Sequence, residues 1–145
     1  MYIVTVTAQG ERSGCLIGFS TQCSINPVRF LACLSDKNRT YRVAAHADIV
    51  AMHLVPETAE ELVELFGSRT GDDVDKFAHC AWREGPEGVP LLDDCPNWFA
   101  GRVIGRLPTG DHGALLLDPI AAGASEDPSQ FHFHRAKRFE PGHEA

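Results

Sequence analysis

The sequence predicts a mainly β, barrel-like fold decorated with short helices, and three observations predict it. Runs rich in β-branched and aromatic residues recur at short intervals along the chain. The helical patterns between them are few and short. Strands and helices do not alternate one for one, as they would in βαβ units. The 145 residues suit one domain, and a hydrophobic fraction of 43% suffices for a core.

Tyr2-Ile3-Val4-Thr5-Val6-Thr7 reads as a first strand that ends before Gln9-Gly10. Gly14 to Cys23 reads as a second, closed by the breaker Asn26-Pro27. Phe30-Leu31-Ala32-Cys33-Leu34 is almost wholly apolar, as expected of a strand buried on both faces. Another short apolar run covers Ile49 to Leu54. Trp98 to Leu107 and Ala114 to Ile120 flank the turn-rich Pro108 to Gly113, so they read as two strands joined by a turn.

Thr58 stands at capping-box spacing before Glu61, and Ala59, Leu62, Leu65 and Phe66 then fall on one helical face, with Gly67 as a stop. Asp72, Asp73 and Asp75 suit the positive end of a second short helix that carries Val74 and Phe77. A shorter helical turn is expected near Thr40, with Thr40 as its cap. The boundary of the folded domain is placed at residue 124, and Ser125 to Ala145 reads as a polar tail with a mobile end.

The net charge of −7 is spread along the chain, which argues against nucleic-acid binding, since neutralising phosphates requires a basic face. No run reaches the roughly 18 apolar residues of a membrane helix, and the first ten residues lack the pattern of a signal peptide. Cys15, Cys23, Cys33, Cys80 and Cys95 form an odd set without a C-x-x-C pair, which predicts reduced, mostly buried thiols in a cytoplasmic protein.

Chemistry concentrates in a few places. Leu34 to Arg42 brings Lys37, Arg39 and Arg42 into an otherwise acidic chain, next to a helix start. It reads either as a phosphate cradle or as a solvated charged loop. Gly18-Phe19-Ser20-Thr21 offers hydroxyls beside an approachable backbone, which would suit a planar heterocycle with polar edges. A strand leaving the core gives the same pattern. His112, in the turn Gly110-Asp111-His112-Gly113, could orient a ligand or simply face water. His132 and His134 would share a strand face, but no third ligand stands at a metal-binding spacing, so no metal is expected. Nucleophile elbow, P-loop and zinc-protease motifs are absent.

Taken in order, the run from Gly14 through Thr40 resembles the FMN-binding segment of the flavin-reductase-like family. Glu61-Leu62-Val63-Glu64-Leu65-Phe66-Gly67, Asp75-Lys76-Phe77, Val89-Pro90-Leu91-Leu92 and Gly110-Asp111-His112 follow in that family's order. The resemblance spans residues 2 to 122 and implies a Greek-key split β-barrel that dimerises, with FMN near the subunit interface. It implies hydride transfer from NADH or NADPH to the flavin, with reduced flavin passed on to a monooxygenase. Carried over by position, Lys37, Asn38, Arg39 and Thr40 would hold the FMN phosphate. Gly18, Phe19, Ser20 and Thr21 would lie along the isoalloxazine ring, and Ser35 near the ribityl chain. His112 would place the nicotinamide, and Phe77 would close one wall.

Two departures from the family pattern stand out. Leu16-Ile17-Gly18 replaces a common Thr-Ala-Ser, and Asn26-Pro27-Val28 replaces a common Pro-Pro. The first motivates an alternative reading, a split barrel using another electron donor such as a deazaflavin. A further alternative is a non-catalytic carrier of flavin or of haem, the haem held by His112 or His132.

Overall fold

The computed structural model describes residues 1–126, 129–140 and 142. Among the described residues nine strands form, in chain order, β1 (Tyr2–Ala8), β2 (Glu11–Ile17), β3 (Ser20–Ile25), β4 (Val28–Ser35), β5 (Ile49–Leu54), β6 (Trp82–Glu84), β7 (Pro90–Leu92), β8 (Trp98–Pro108) and β9 (His112–Gly123). Three short helices accompany them: α1 (Arg39–Ala44), α2 (Glu60–Ser68) and α3 (Phe133–Ala136). The fold is thus a mainly β split barrel, as the sequence predicts.

Seven strands make one sheet in the order β2-β1-β5-β8-β9-β4-β3, and β6 and β7 form a separate hairpin. The sheet's two edges, β2 and β3, are consecutive in sequence and joined only by Gly18-Phe19. So short a link spans at most about 11 Å, so the sheet must curl until its edges nearly meet. The barrel is split at that seam.

This corrects the expectation of one strand from Gly14 to Cys23. The run breaks at Gly18-Phe19, and its halves lie on opposite edges. Phe19 stays on the β3 side of the seam, where its carbonyl accepts from the Cys33 amide of β4 at 2.9 Å and extends the β3–β4 ladder.

Alternation along β1 and β5 places two cores back to back. Val4, Val6, Val50 and Met52 fill the barrel with Cys15, Ile17, Leu34, Leu115 and Leu117. From the other face of β1, Ile3 joins Leu62, Val63, Phe66, Phe77 and Phe131 in an outer layer. Burial on both faces explains why these strands read as nearly continuous apolar runs.

β4 is different from the expectation. Ala32 and Leu34 are buried, whereas Leu31 and Cys33 on the opposite face remain half-exposed. On that face Cys33 and Ser35 border a groove rather than a second core.

The capping box does not form. α2 starts at Glu60, its cap is Ala59, and no side chain caps it. The first-turn carboxylate of Glu60 instead pairs with Arg135 and Arg138, which return from the C-terminal segment. Gly67 lies inside α2 rather than ending it; a Cβ there would sit 3.0 Å from Leu16 Cδ2, so glycine lets the helix lie close on β2. The second predicted helix is a single 3₁₀ turn, Lys76–His79, capped by the Asp75 carboxylate.

Beyond residue 124 the chain comes back to the barrel. Phe131 is fully buried, and its carbonyl accepts from the Met1 amino group at 2.9 Å. The terminal residues 143–145, on which the expectation of mobility chiefly falls, lie outside the described residues. Of the five free cysteines, Cys15 and Cys95 are buried, Cys33 and Cys80 are half-buried, and Cys23 is exposed, so the thiols are less uniformly buried than expected. Among the described residues no helix is long and apolar enough to cross a membrane.

Candidate functional site

A groove of about 370 Å³ opens at the barrel seam. Leu16, Ile17, Gly18 and Phe19 wall one side of it, and Phe133 and Phe139 of the returning segment wall the other. Gly18 is where these walls approach, since a Cβ there would lie 3.7 Å from the Phe133 ring. Polar groups reach this apolar slot from Ser35, Asn38, His112, Lys137 and Glu140. A mostly apolar slot with a few polar groups is the usual form of a site for a flat organic ligand.

Ser35 ends β4 and pairs in register with His112, the first residue of β9. It is 8% exposed, and its Oγ has no hydrogen-bond partner among the described residues. An unpaired buried hydroxyl costs about 1–3 kcal/mol, so one at the wall of a groove points to a ligand that supplies its partner. Ser68 Oγ is likewise unpaired, but it ends α2 and does not line this groove.

Three neighbours fix the His112 ring. Its Nδ1 lies 2.7 Å from Asp111 Oδ1, its ring meets Phe19 edge-on at 5.2 Å, and its backbone is held in the β4–β9 ladder. The hydrogen bond from His112 holds the Asp111 carboxyl below its usual range, so Asp111 is ionised at neutral pH and orients the imidazole. Gly113, next along β9, leaves room for α1: a Cβ there would lie 2.3 Å from Tyr41 Cε2. Gly113→Ala should therefore cost about 1–3 kcal/mol by forcing Tyr41 aside, seen as a lower thermal midpoint.

Of the residues the sequence singles out, Gly18, Phe19, Ser35, Asn38 and His112 meet in this groove. The others do not line it. Ser20 and Thr21 lie on the edge strand β3, where Thr21 Oγ1 donates to the Gln22 carbonyl. Lys37 is exposed on the loop, its charge felt by Asp111. Arg39 turns away, donating to the Gly71 carbonyl at 2.8 Å and pairing with Glu11 and Asp72. Thr40 does not cap α1. It is fully buried, with its hydroxyl 2.9 Å from Ser13 Oγ, while Asn38 Oδ1 takes the Thr40 amide and is the cap. Phe77 packs between Phe66 and Trp82 in the outer core.

Arg39 and Phe77 border a second hollow, of about 350 Å³, beside the first half of β2. Its cations Arg39 and Lys76 are engaged by the protein itself, and Arg12 stacks on the Trp82 ring. Besides the Arg39 pairs, the buried Lys76 ammonium donates to the carbonyls of Gly14 and Phe66, and burial lowers its pKa to about 8. Among the described residues, no buried side-chain polar atom lining it is left unpaired as Ser35 Oγ is.

Sequence reasoning missed the far wall of the groove. Phe133, Ala136, Lys137 and Phe139 come from a segment read as a polar tail. The signal was there: Phe131-His132-Phe133-His134 sets two large apolar residues in an otherwise polar stretch. His132 and His134 stack with ring centroids 5.9 Å apart, and no group of three or more metal-ligating side chains occurs among the described residues.

Comparison with known proteins bears on the family and the fold. The flavin reductase like domain family matches residues 1–141. FMN reductase (NADH) RutF of Methylorubrum extorquens is 29% identical over 131 residues, 88% of this chain and 62% of that protein. A ferric-chelate reductase (NAD(P)H) of Archaeoglobus fulgidus is 28% identical over 129 residues, covering 88% of this chain and 76% of its own length. The crystal structure of an FMN-binding protein from Thermus thermophilus with bound 1-cyclohex-2-enone superposes with a TM-score of 0.78 at 24% identity, over 83% of this chain and 67% of the other, a likeness of fold. The chain spans less than two thirds of the RutF relative and only 44% of another curated relative.

Proposed function

The chain belongs to the flavin reductase like domain family, and from that premise we propose that it binds FMN in the seam groove and serves as an NAD(P)H:flavin oxidoreductase. The observation that carries the reading is the Ser35 hydroxyl, buried at the groove without a hydrogen-bond partner among the described residues. A flavin offers the required combination of a flat apolar ring system and a polyhydroxyl chain able to bond it. When bound, the flavin supplies the redox chemistry by accepting hydride from a reduced nicotinamide.

The protein's part is positional. Leu16, Ile17, Gly18, Phe19 and Phe133 give the slot apolar walls that would shield the face of a bound ring from water, which favours direct hydride transfer over side reactions. Ser35 and Asn38 supply hydrogen-bonding groups. His112, oriented by Asp111, borders the slot where a nicotinamide would have to approach. No acid–base dyad is required, because hydride transfer between the two cofactors moves no proton through a side chain. On this reading residues 1–124 form the flavin domain, and the segment from residue 125 supplies one rim of its site.

Ile25, Val28, Ile104, Leu107 and Ile120 are exposed on the neighbouring strands β3, β4, β9 and β8, an apolar surface that supports the homodimer implied by the family. Light scattering on the purified protein would measure its mass directly. Five free thiols fit a cytoplasmic location. A monooxygenase that consumes reduced flavin is the acceptor the family resemblance implies.

The test is an anaerobic visible spectrum of the FMN-loaded protein before and after adding NADH or NADPH. Rapid bleaching of bound flavin supports the reductase. Bound flavin that stays oxidised moves the assignment to another donor, such as a deazaflavin, or to a carrier. Failure to bind flavin at all removes the reading.

Ser35→Ala separates ligand binding from folding. The variant should bind FMN about tenfold more weakly, the worth of a lost buried hydrogen bond. The ligand-free protein should melt no earlier than wild type, because an unpaired hydroxyl has been removed. Titration and a ligand-free thermal melt check the two halves.

A further inference from the structure

We propose that Phe133, the first residue of α3, packs on the ring of the bound flavin and sets how tightly this chain holds it. The inference rests on the groove being the flavin site, and it adds to that site a residue from outside the barrel. Among the described residues seven large apolar side chains are exposed, and five of them are aliphatic residues of β3, β4, β8 and β9. The two that remain, Phe19 at 63% and Phe133 at 64%, are both aromatic, and both line the seam groove, from opposite walls. A single exposed apolar residue carries no message. Two aromatic ones bordering one slot, with the unpaired and nine-tenths buried Ser35 hydroxyl in the same slot, mark a place left open for a flat ligand.

The returning segment is fixed by groups other than the Phe133 ring. Phe131, two residues earlier, is fully buried in the outer core, and its amide donates to the Val55 carbonyl at 2.8 Å. Ala136 is buried against the same core, and further on the Gly142 amide donates to the Gly67 carbonyl at 3.2 Å. Phe133 lies between these anchors and belongs to none of the core clusters of the described residues. Phe19 has His112 against its ring at 5.2 Å, whereas among the described residues the Phe133 ring meets no other aromatic ring. The segment thus holds a large aromatic face over the groove without using it for folding.

The experiment titrates FMN and riboflavin, which share the ring, against the full chain. Phe133→Ala should weaken both about tenfold and by the same factor, in line with the loss of one aromatic stacking contact. Its ligand-free thermal midpoint should equal that of wild type, because the ring is not part of a core. Phe133→Tyr should restore the affinity. Phe133→Trp should keep the affinity and darken the bound flavin below its wild-type emission, because an indole touching an excited flavin ring quenches it by electron transfer. His134→Trp, one residue on and outside the groove lining, should leave that emission unchanged.

Unchanged flavin affinity in Phe133→Ala, or unchanged emission in Phe133→Trp, overturns the proposal and leaves the reading of the groove standing. Tighter binding by Phe133→Ala overturns it as well, since the ring would then obstruct the site. A lowered ligand-free midpoint places the ring in the fold and does the same. Wild-type protein that binds neither flavin overturns the reading of the groove itself, and the role of Phe133 with it.

Discussion

Replacing His112 with alanine is expected to slow reduction of bound FMN by NADH or NADPH by about ten- to a hundredfold, while FMN affinity changes little. Misplacing a reactant by about an ångström costs on the order of a hundredfold, and His112 is built as a positioning group. Its ring is fixed by Asp111 at 2.7 Å, by the Phe19 edge at 5.2 Å, and by the strand pairing opposite Ser35. The flavin would keep Gly18, Phe19, Ser35 and the returning segment, so its affinity has other support. Asp111→Asn should show a smaller loss of the same kind, because the imidazole remains but its orienting charge is gone. Stopped-flow reduction with saturating FMN measures the rate, and a separate titration measures affinity. A His112→Ala protein that loses both in equal measure has lost a structural histidine.

The sequence made the barrel legible where alternation and punctuation agree. β1, the β8–β9 hairpin and the run into β5 each carry a clear pattern between turn residues. The break between β2 and β3 is invisible by the same rule. No proline or Asn-Gly interrupts Gly14 to Cys23, and Gly18 alone signals only that something approaches closely. That two adjacent strands lie on opposite edges of the sheet is a property of closure, which no local pattern encodes.

The site divides along the same line. Ser35, Asn38 and His112 were legible because backbone pairing decides where they point. Arg39, Thr40 and Phe77 were not, because distant partners decide it. Glu11 and Asp72 draw the guanidinium away, Ser13 takes the Thr40 hydroxyl, and Phe66 and Trp82 enclose Phe77. A charged loop read in isolation shows which groups exist, and tertiary competition settles which of them stay available.

Replacing His53 should have the largest effect on stability. His53 is fully buried in β5 and bonded on both ring nitrogens. Its Nδ1 lies 3.1 Å from the Ile3 carbonyl, and its Nε2 lies 3.1 Å from the Leu92 amide, which donates to it. Only the neutral ring with its proton on Nδ1 satisfies both, so one side chain ties β1, β5 and β7 together. His53→Ala leaves a carbonyl and an amide unpaired beside a cavity, a loss of about 3–5 kcal/mol.

The same geometry fixes a pH dependence. Burial, opposed by the bond to Ile3 and aided by the charge of Arg83, lowers the His53 pKa from 6.5 to about 4. The folded-state value lies below the unfolded one, so the contribution is complete above about pH 6.5 and is lost as pH falls towards 4. At about 1.36 kcal/mol per pH unit that gap corresponds to about 3 kcal/mol. Other groups titrate in acid too, so the comparison must be with His53→Gln, which has no proton to take up in this range. Denaturant unfolding of both proteins between pH 7 and 4 should show the wild type losing about 3 kcal/mol more than the variant. Parallel losses would mean that the ring is already protonated, or exposed, at neutral pH. Because His53 does not line the seam groove, added FMN should raise both curves without flattening either, which separates this structural histidine from the ligand-facing His112.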